Sequence, residues 1–240
     1  MAARRSQSFA SPARNAALRP SISDIRSLLR NRHWAHFSSG RRCKTELAQV
    51  IEETGSLLGL PVAPRGGALI QSLAPTDRTD SRPASMSSIY GMAQQPWHVD
   101  LAHWPVPARF IVLGCESTGD RCIPTEITDC SELFVNPSDN RAAHCQPYLI
   151  RNGRESFYST MLDKQRPFVR LDPGCMVPRS ESAKSLQARI QSLRPEATVA
   201  IEWAVGDVLV LDNWRVAHRR LDATNAMERR LFRVSVMERV

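Results

Sequence analysis

Two imidazoles and one carboxylate are the residues in this chain most able to do chemistry together. His98 and Asp100 stand two positions apart in QQPWHVDLAHW, residues 94–104, and His218 closes the run GDVLVLDNWRVAH. Strand alternation would place His98 and Asp100 on one face. HxD by itself is a common pairing and carries little weight. Joined by a distant histidine, it becomes a two-imidazole, one-carboxylate set of the kind that binds Fe(II) on one octahedral face. Three positions then stay open, two for a bidentate 2-oxo acid and one for O2.

A second feature follows His218. The segment RRLFRVSV, residues 229–236, alternates so that Arg229, Leu231, Arg233 and Ser235 share one face and Arg230, Phe232, Val234 and Val236 the other. Two arginines on a face that is otherwise core need anions, because an unpaired buried guanidinium is costly. A guanidinium also matches a carboxylate as a two-pronged donor.

The pieces HVD, PTEITD, GDVLVLDNWRVAH and RRLFR, in this order, resemble the Fe(II)/2-oxoglutarate-dependent oxygenases of the taurine dioxygenase and clavaminate synthase-like branch. The resemblance runs from about residue 85 to residue 236. It implies a double-stranded β-helix (jelly-roll) core and assigns His98, Asp100 and His218 as iron ligands. It places Thr125, twenty-five positions after Asp100, at a hydroxyl that meets the 2-oxoglutarate carboxylate. Arg229, eleven after His218, falls at the co-substrate arginine, with Arg230 as its neighbouring rival. Arg233 falls at a second arginine, expected to hold an anionic group of the substrate or co-substrate or to brace Asp100. The implied activity is oxidation of a small, anionic or amino-acid-like metabolite, with Fe(II), 2-oxoglutarate and O2 as cofactor and co-substrates and succinate and CO2 as products. The interval from Thr125 to His218 is short for this branch. Two other readings use the same residues: a zinc hydrolase, which leaves the arginine pair unexplained, and a non-catalytic binding protein on the same fold.

Composition agrees with a small-molecule enzyme. The formal charge is +8, yet residues 1–44 hold ten of the 32 basic residues and one acid, so the remainder is close to neutral. That argues against a nucleic-acid groove. No apolar run reaches the length of a membrane span. Six cysteines without CxxC pairs read as reduced thiols, and a cytoplasmic location is expected. Residues 1–20, rich in Arg, Ser and Ala, are expected to be a basic disordered tail, a composition shared with organelle transit peptides. Residues 21–240 form the expected catalytic domain.

The elements that must position these groups are mostly β with flanking helices. Helices are predicted after a Ser21 or Ser23 cap, over KTELAQVIEETGSLLGL with Leu47, Val50, Ile51, Leu57 and Leu58 inward, and over SAKSLQARIQSL with Ala183, Leu186, Ile190 and Leu193 inward. Strands are predicted in RFIVLGCES, PTEITD, PYLI, FYSTML, PFVRLD, TVAIEWAV, DVLVLDN and RLFRVSVM. His33, Trp34 and His36 are read as a structural helix-end segment, and PTDRTDSRPASM, residues 75–86, as a surface loop.

Overall fold

The computed structural model describes residues 19–64, 67–81, 85–224, 226 and 228–239. The expected tail therefore falls almost wholly outside the described residues. Among those described, no helix is long and apolar enough to cross a membrane.

The framework is an antiparallel sheet built around three long strands. β4 (Phe110–Thr118) lies between β10 (Asp207–Asp212) and β12 (Arg229–Met237). β1 (Trp34–Ser38) extends it beyond β10, while β2 (Leu60–Val62) and β3 (Ile70–Leu73) both pair with β12. A smaller sheet runs β11-β5-β9, from β11 (Val216–Arg220), β5 (Thr125–Asp129) and β9 (Val199–Ile201). A third joins β6 (Tyr148–Ile150), β7 (Phe157–Ser159) and β8 (Met176–Pro178).

Alternation decides what each face of the large sheet meets. On β4 and β10, Ile111, Leu113, Cys115, Leu209 and Leu211 join Ile127 and Val216 of the small sheet in one core. Val112, Val208, Val210, Phe232, Val234 and Val236 point the other way. There they meet α1 (Ile22–Arg32) and α2 (Lys44–Leu58) through Ile25, Leu29, Leu47, Val50 and Ile51. A third core lies under α4 (Pro137–Cys145) and α5 (Glu181–Ser192), around Trp97, Val99, Leu133, Tyr148 and Leu186. Burying each of these large apolar side chains is worth about 1.5–3 kcal/mol, so three such clusters hold the strands in register.

Local signals explain the helices. Ser21 caps α1 in a reciprocal box with Asp24, and Ser180 caps α5 by accepting from the Ala183 N–H. Gly114 lets α2 approach β4: a Cβ there would lie 2.9 Å from Ile51 Cγ2 and 3.2 Å from Leu47 Cδ1.

Four expectations need correction. Leu57 is 51% exposed, because Thr54 and Gly55 complete the buried face of α2 instead. Residues 34–38, including Trp34 and His36, form strand β1 rather than a helix end, since a left-handed cap at His33 turns the chain onto β10. PFVRLD forms no strand, because Arg170 and Asp172 there use their side chains to hold neighbouring loops. Residues 94–104 are not a strand either. Only His98 is bridged, to His218, and the chain then turns, with Leu101 at φ +57°.

Candidate iron and 2-oxoglutarate site

The three residues that the resemblance assigns as iron ligands converge. His98, Asp100 and His218 are all buried, and their ligand atoms lie within 4.8 Å of one another. Among the described residues, no other group of three His, Cys, Asp or Glu side chains does this. The two histidines are brought together by reciprocal backbone hydrogen bonds, His98 N–H to His218 O at 3.1 Å and His218 N–H to His98 O at 2.9 Å. Their rings sit 4.3 Å apart between centroids, and His218 Nε2 is 3.8 Å from Asp100 Oδ2. A single bridge thus does what a shared strand was expected to do.

Orientation is fixed from outside the triad. His98 Nδ1 is 2.9 Å from the Pro96 carbonyl. As the donor there, Nδ1 leaves Nε2 with its lone pair free for a metal. Burial first, then the neighbouring His98, pushes the His218 pKa down to about 3, against the pull of Asp100, so its imidazole is neutral. Burial would raise the Asp100 pKa, but Arg233, His218 and His98 hold it down at about 2. A neutral His218 and an ionised Asp100 are the protonation states in which these two groups can ligate a divalent metal.

Asp100 is also gripped by groups that the sequence did not single out. Its N–H donates to Asn213 Oδ1 at 2.8 Å, and Asn213 Nδ2 returns to the Asp100 carbonyl at 3.0 Å and the Ala108 carbonyl at 2.9 Å. Asn213 is fully buried at the end of β10, where the polar DN that closes an apolar strand was the available signal. Arg170, also fully buried, donates to the carbonyls of Ala102, Trp104 (2.7 Å) and Pro105 (2.9 Å), clamping the turn that follows Asp100. Arg220 does the same for the approach to His98, reaching the carbonyls of Gly91, Met92 and Ala93. Neither arginine has a carboxylate within 4 Å among the described residues.

Thr125, Arg229 and Trp203 form a buried polar cradle. The Thr125 hydroxyl accepts from Arg229 NH2 at 2.9 Å and from Trp203 Nε1 at 3.0 Å. With both lone pairs engaged, its own hydrogen is left to donate. Arg229 is buried on β12, its Nε has no partner among the described residues, and burial, then Arg220, lowers its pKa to about 10. A guanidinium so placed calls for a carboxylate. Arg230 is exposed, as the alternation expected. The β-bulge between β12 and β4 falls after Arg230, where Glu116 of β4 is skipped, so β12 keeps its own alternation.

Arg233, predicted as an anion-binding residue, donates NH1 to Asp100 Oδ1 at 2.7 Å and Nε and NH2 to Gln71 Oε1 at 3.1 and 2.8 Å. Of the roles open to it, bracing Asp100 is the one its contacts display. Asp172 was not anticipated. It lies beside the HxD segment, with Val99 N–H on the Leu171 carbonyl and Gly174 N–H on Asp172 Oδ1 at 2.7 Å. Burial raises its pKa, opposed by His98. Tyr90 of α3 (Met86–Tyr90) is close enough to feel its charge.

The sequence and the fold have parallels among known proteins. Residues 133–235 match the taurine catabolism dioxygenase TauD, TfdA family. The TauD/TfdA match includes His218, Arg229 and Arg233, while His98, Asp100 and Thr125 lie upstream of it. Solved structures share the fold. An asparagine oxygenase solved with Fe(II), 3-hydroxyasparagine and succinate superimposes with a TM-score of 0.71 at 17% identity, covering 90% of this chain and 78% of that one. The non-heme iron oxygenase OrfP, solved with Fe and alpha-ketoglutaric acid, gives 0.69 at 17% identity, covering 91% and 80%. A comparison with curated protein sequences gives no match. The jelly-roll expected from the TauD/TfdA resemblance is thus the fold of the chain.

Proposed function

We propose that this chain is a non-haem Fe(II)- and 2-oxoglutarate-dependent oxygenase that hydroxylates a small amino-acid-like metabolite. The observation that carries the reading is one pairing: a buried His98–Asp100–His218 triad beside a buried arginine whose Nε has no partner among the described residues. A zinc hydrolase would use the triad and leave the Arg229–Thr125–Trp203 cradle without purpose. Iron bound by the triad, with 2-oxoglutarate and O2, would supply the oxidising power and release succinate and CO2.

The chain's own residues do the rest. His98 and His218 present lone pairs, Asp100 presents a carboxylate held by Arg233 and Asn213, and Arg229 with Thr125 takes the far carboxylate of 2-oxoglutarate. Holding both reactants in one geometry removes most of the entropic barrier to their encounter. Asp172 offers a carboxylate on the approach to His98 and suits the ammonium group of an amino acid. The asparagine oxygenase and OrfP structures, which hold hydroxyasparagine and hydroxyarginine, favour the same substrate class.

The test begins anaerobically. Adding 2-oxoglutarate to the Fe(II)-loaded protein should produce a visible charge-transfer band, and a screen of free amino acids for stimulated succinate release should identify the substrate. Asp172→Asn should then raise the substrate KM while leaving the charge-transfer titration unchanged. Tight zinc binding with no band would favour the hydrolase.

A further inference from the structure

A second concave site lies away from the three ligands, between α1 and the turn that joins β10 to β11. We propose that this cavity, of about 410 Å³, binds an organic phosphate such as a nucleoside triphosphate. Its charged lining is Arg26, Arg30, His33, Arg109, Asp212 and Arg215. The four guanidinium groups come from three separate parts of the chain and meet one carboxylate. That carboxylate is taken: Arg109 NH2 lies 2.8 Å from Asp212. His33 faces Asp129 at 3.5 Å. Arg26, Arg30 and Arg215 have no carboxylate within 4 Å among the described residues. Arg26 spends one donor on the Leu57 carbonyl, which fixes its position without neutralising it.

Pairing with Asp212 and stacking on Trp214 account for Arg109, but not for the three other guanidinium groups around the cavity. Arg26 and Arg30 are one helical turn apart, a like-charge spacing that weakens a helix. The helix dipole favours Arg30 in the last turn of α1, but it does not explain why Arg26 and Arg215 face the same space. Three uncompensated positive charges match the charge of a short phosphate chain, and guanidinium groups bind phosphate oxygens as two-pronged donors. Leu29, Leu58 and Phe110 supply an apolar wall beside the arginines. Charge next to an apolar wall, with Arg109 over the Phe110 ring, fits a phosphate ester with an organic body better than a free inorganic ion. The volume lies within the range of small-molecule pockets. None of these residues is an iron ligand or part of the Arg229–Thr125–Trp203 cradle, so the site stands apart from the proposed reaction.

Calorimetric titration of the full chain with ATP, pyrophosphate and inorganic phosphate tests it. ATP should bind with one-to-one stoichiometry and at least tenfold more tightly than pyrophosphate. The R30Q/R215Q double variant, changed only at exposed positions, should lose at least tenfold in ATP affinity and keep the wild-type 2-oxoglutarate charge-transfer band. It retains Arg4, Arg5 and Arg14, so binding to the basic N-terminal residues would survive in it. Unchanged ATP affinity in the double variant, equal affinity for ATP and pyrophosphate, or no saturable binding at millimolar ATP would each overturn the assignment.

Discussion

Arg229→Met separates the cost of a buried charge from its use. Arg229 is 4% exposed, has no carboxylate within 4 Å among the described residues, and its pKa is lowered from 12.5 to about 10 by burial and then by Arg220. Each pKa unit corresponds to about 1.4 kcal/mol, so folding with this group charged costs roughly 3 kcal/mol at neutral pH. For a base whose folded pKa is depressed, the penalty is fully present below the folded value and fades only as pH rises from about 10 towards 12.5. Methionine has a similar length and no charge. It forfeits the hydrogen bond to Thr125, worth about 1 kcal/mol, leaving a net gain of about 2 kcal/mol in the apoprotein. At about 2–4 °C per kcal/mol for a chain of this size, the apoprotein melting temperature should rise by roughly 4–8 °C. Binding of 2-oxoglutarate should weaken in parallel. A lost charge-assisted fork is worth about 1.5–3 kcal/mol, or roughly 10- to 150-fold in Kd. Differential scanning calorimetry without iron reads the first effect, and anaerobic titration of the charge-transfer band reads the second. A lower apoprotein Tm, or an unchanged 2-oxoglutarate Kd, would refute the reasoning that this charge is kept for its ligand.

Three further outcomes are expected. Thr125→Val should weaken 2-oxoglutarate binding by roughly tenfold, since it strips the acceptor shared by Arg229 and Trp203 and the donor left for the carboxylate; an unchanged titration would remove Thr125 from the cradle. Asn213→Leu keeps the volume but leaves the Asp100 N–H and the carbonyls of Asp100 and Ala108 unpaired, at about 1–3 kcal/mol each, so Fe(II) affinity measured by competition with a chelator should fall at least tenfold. Gly114→Val should lower thermal stability by about 1–3 kcal/mol, because its first added carbon already meets Ile51 Cγ2 at 2.9 Å; a variant as stable as wild type would mean that α2 can shift away from β4.

Residue type and spacing picked out His98, Asp100 and His218 as a candidate triad, and the family resemblance supplied the roles proposed for them and for Arg229. His98, Asp100 and His218 offer the right atoms for iron, and strand alternation separates Arg229 from Arg230, because both residues are paired with β4 and the bulge takes its extra residue from β4 rather than from β12. The helices were equally legible, since Ser21 and Ser180 cap locally and apolar residues recur at helical spacing. What the sequence left undecided depends on partners distant along the chain. The expected strand through residues 94–104 dissolves into one bridge, because His98 pairs with His218 while the next residues are held by Asn213 and Arg170. Arg233 could serve an anion or a protein carboxylate until Asp100 and Gln71 were seen to take its donors. Trp203 and Asp172 carry no local pattern that marks them, and the DN closing an apolar strand marks Asn213 without naming its partners. Their roles arise only when the sheets, packed through Ile127, Leu209 and Leu231, bring their polar atoms to a buried place where each must find a partner.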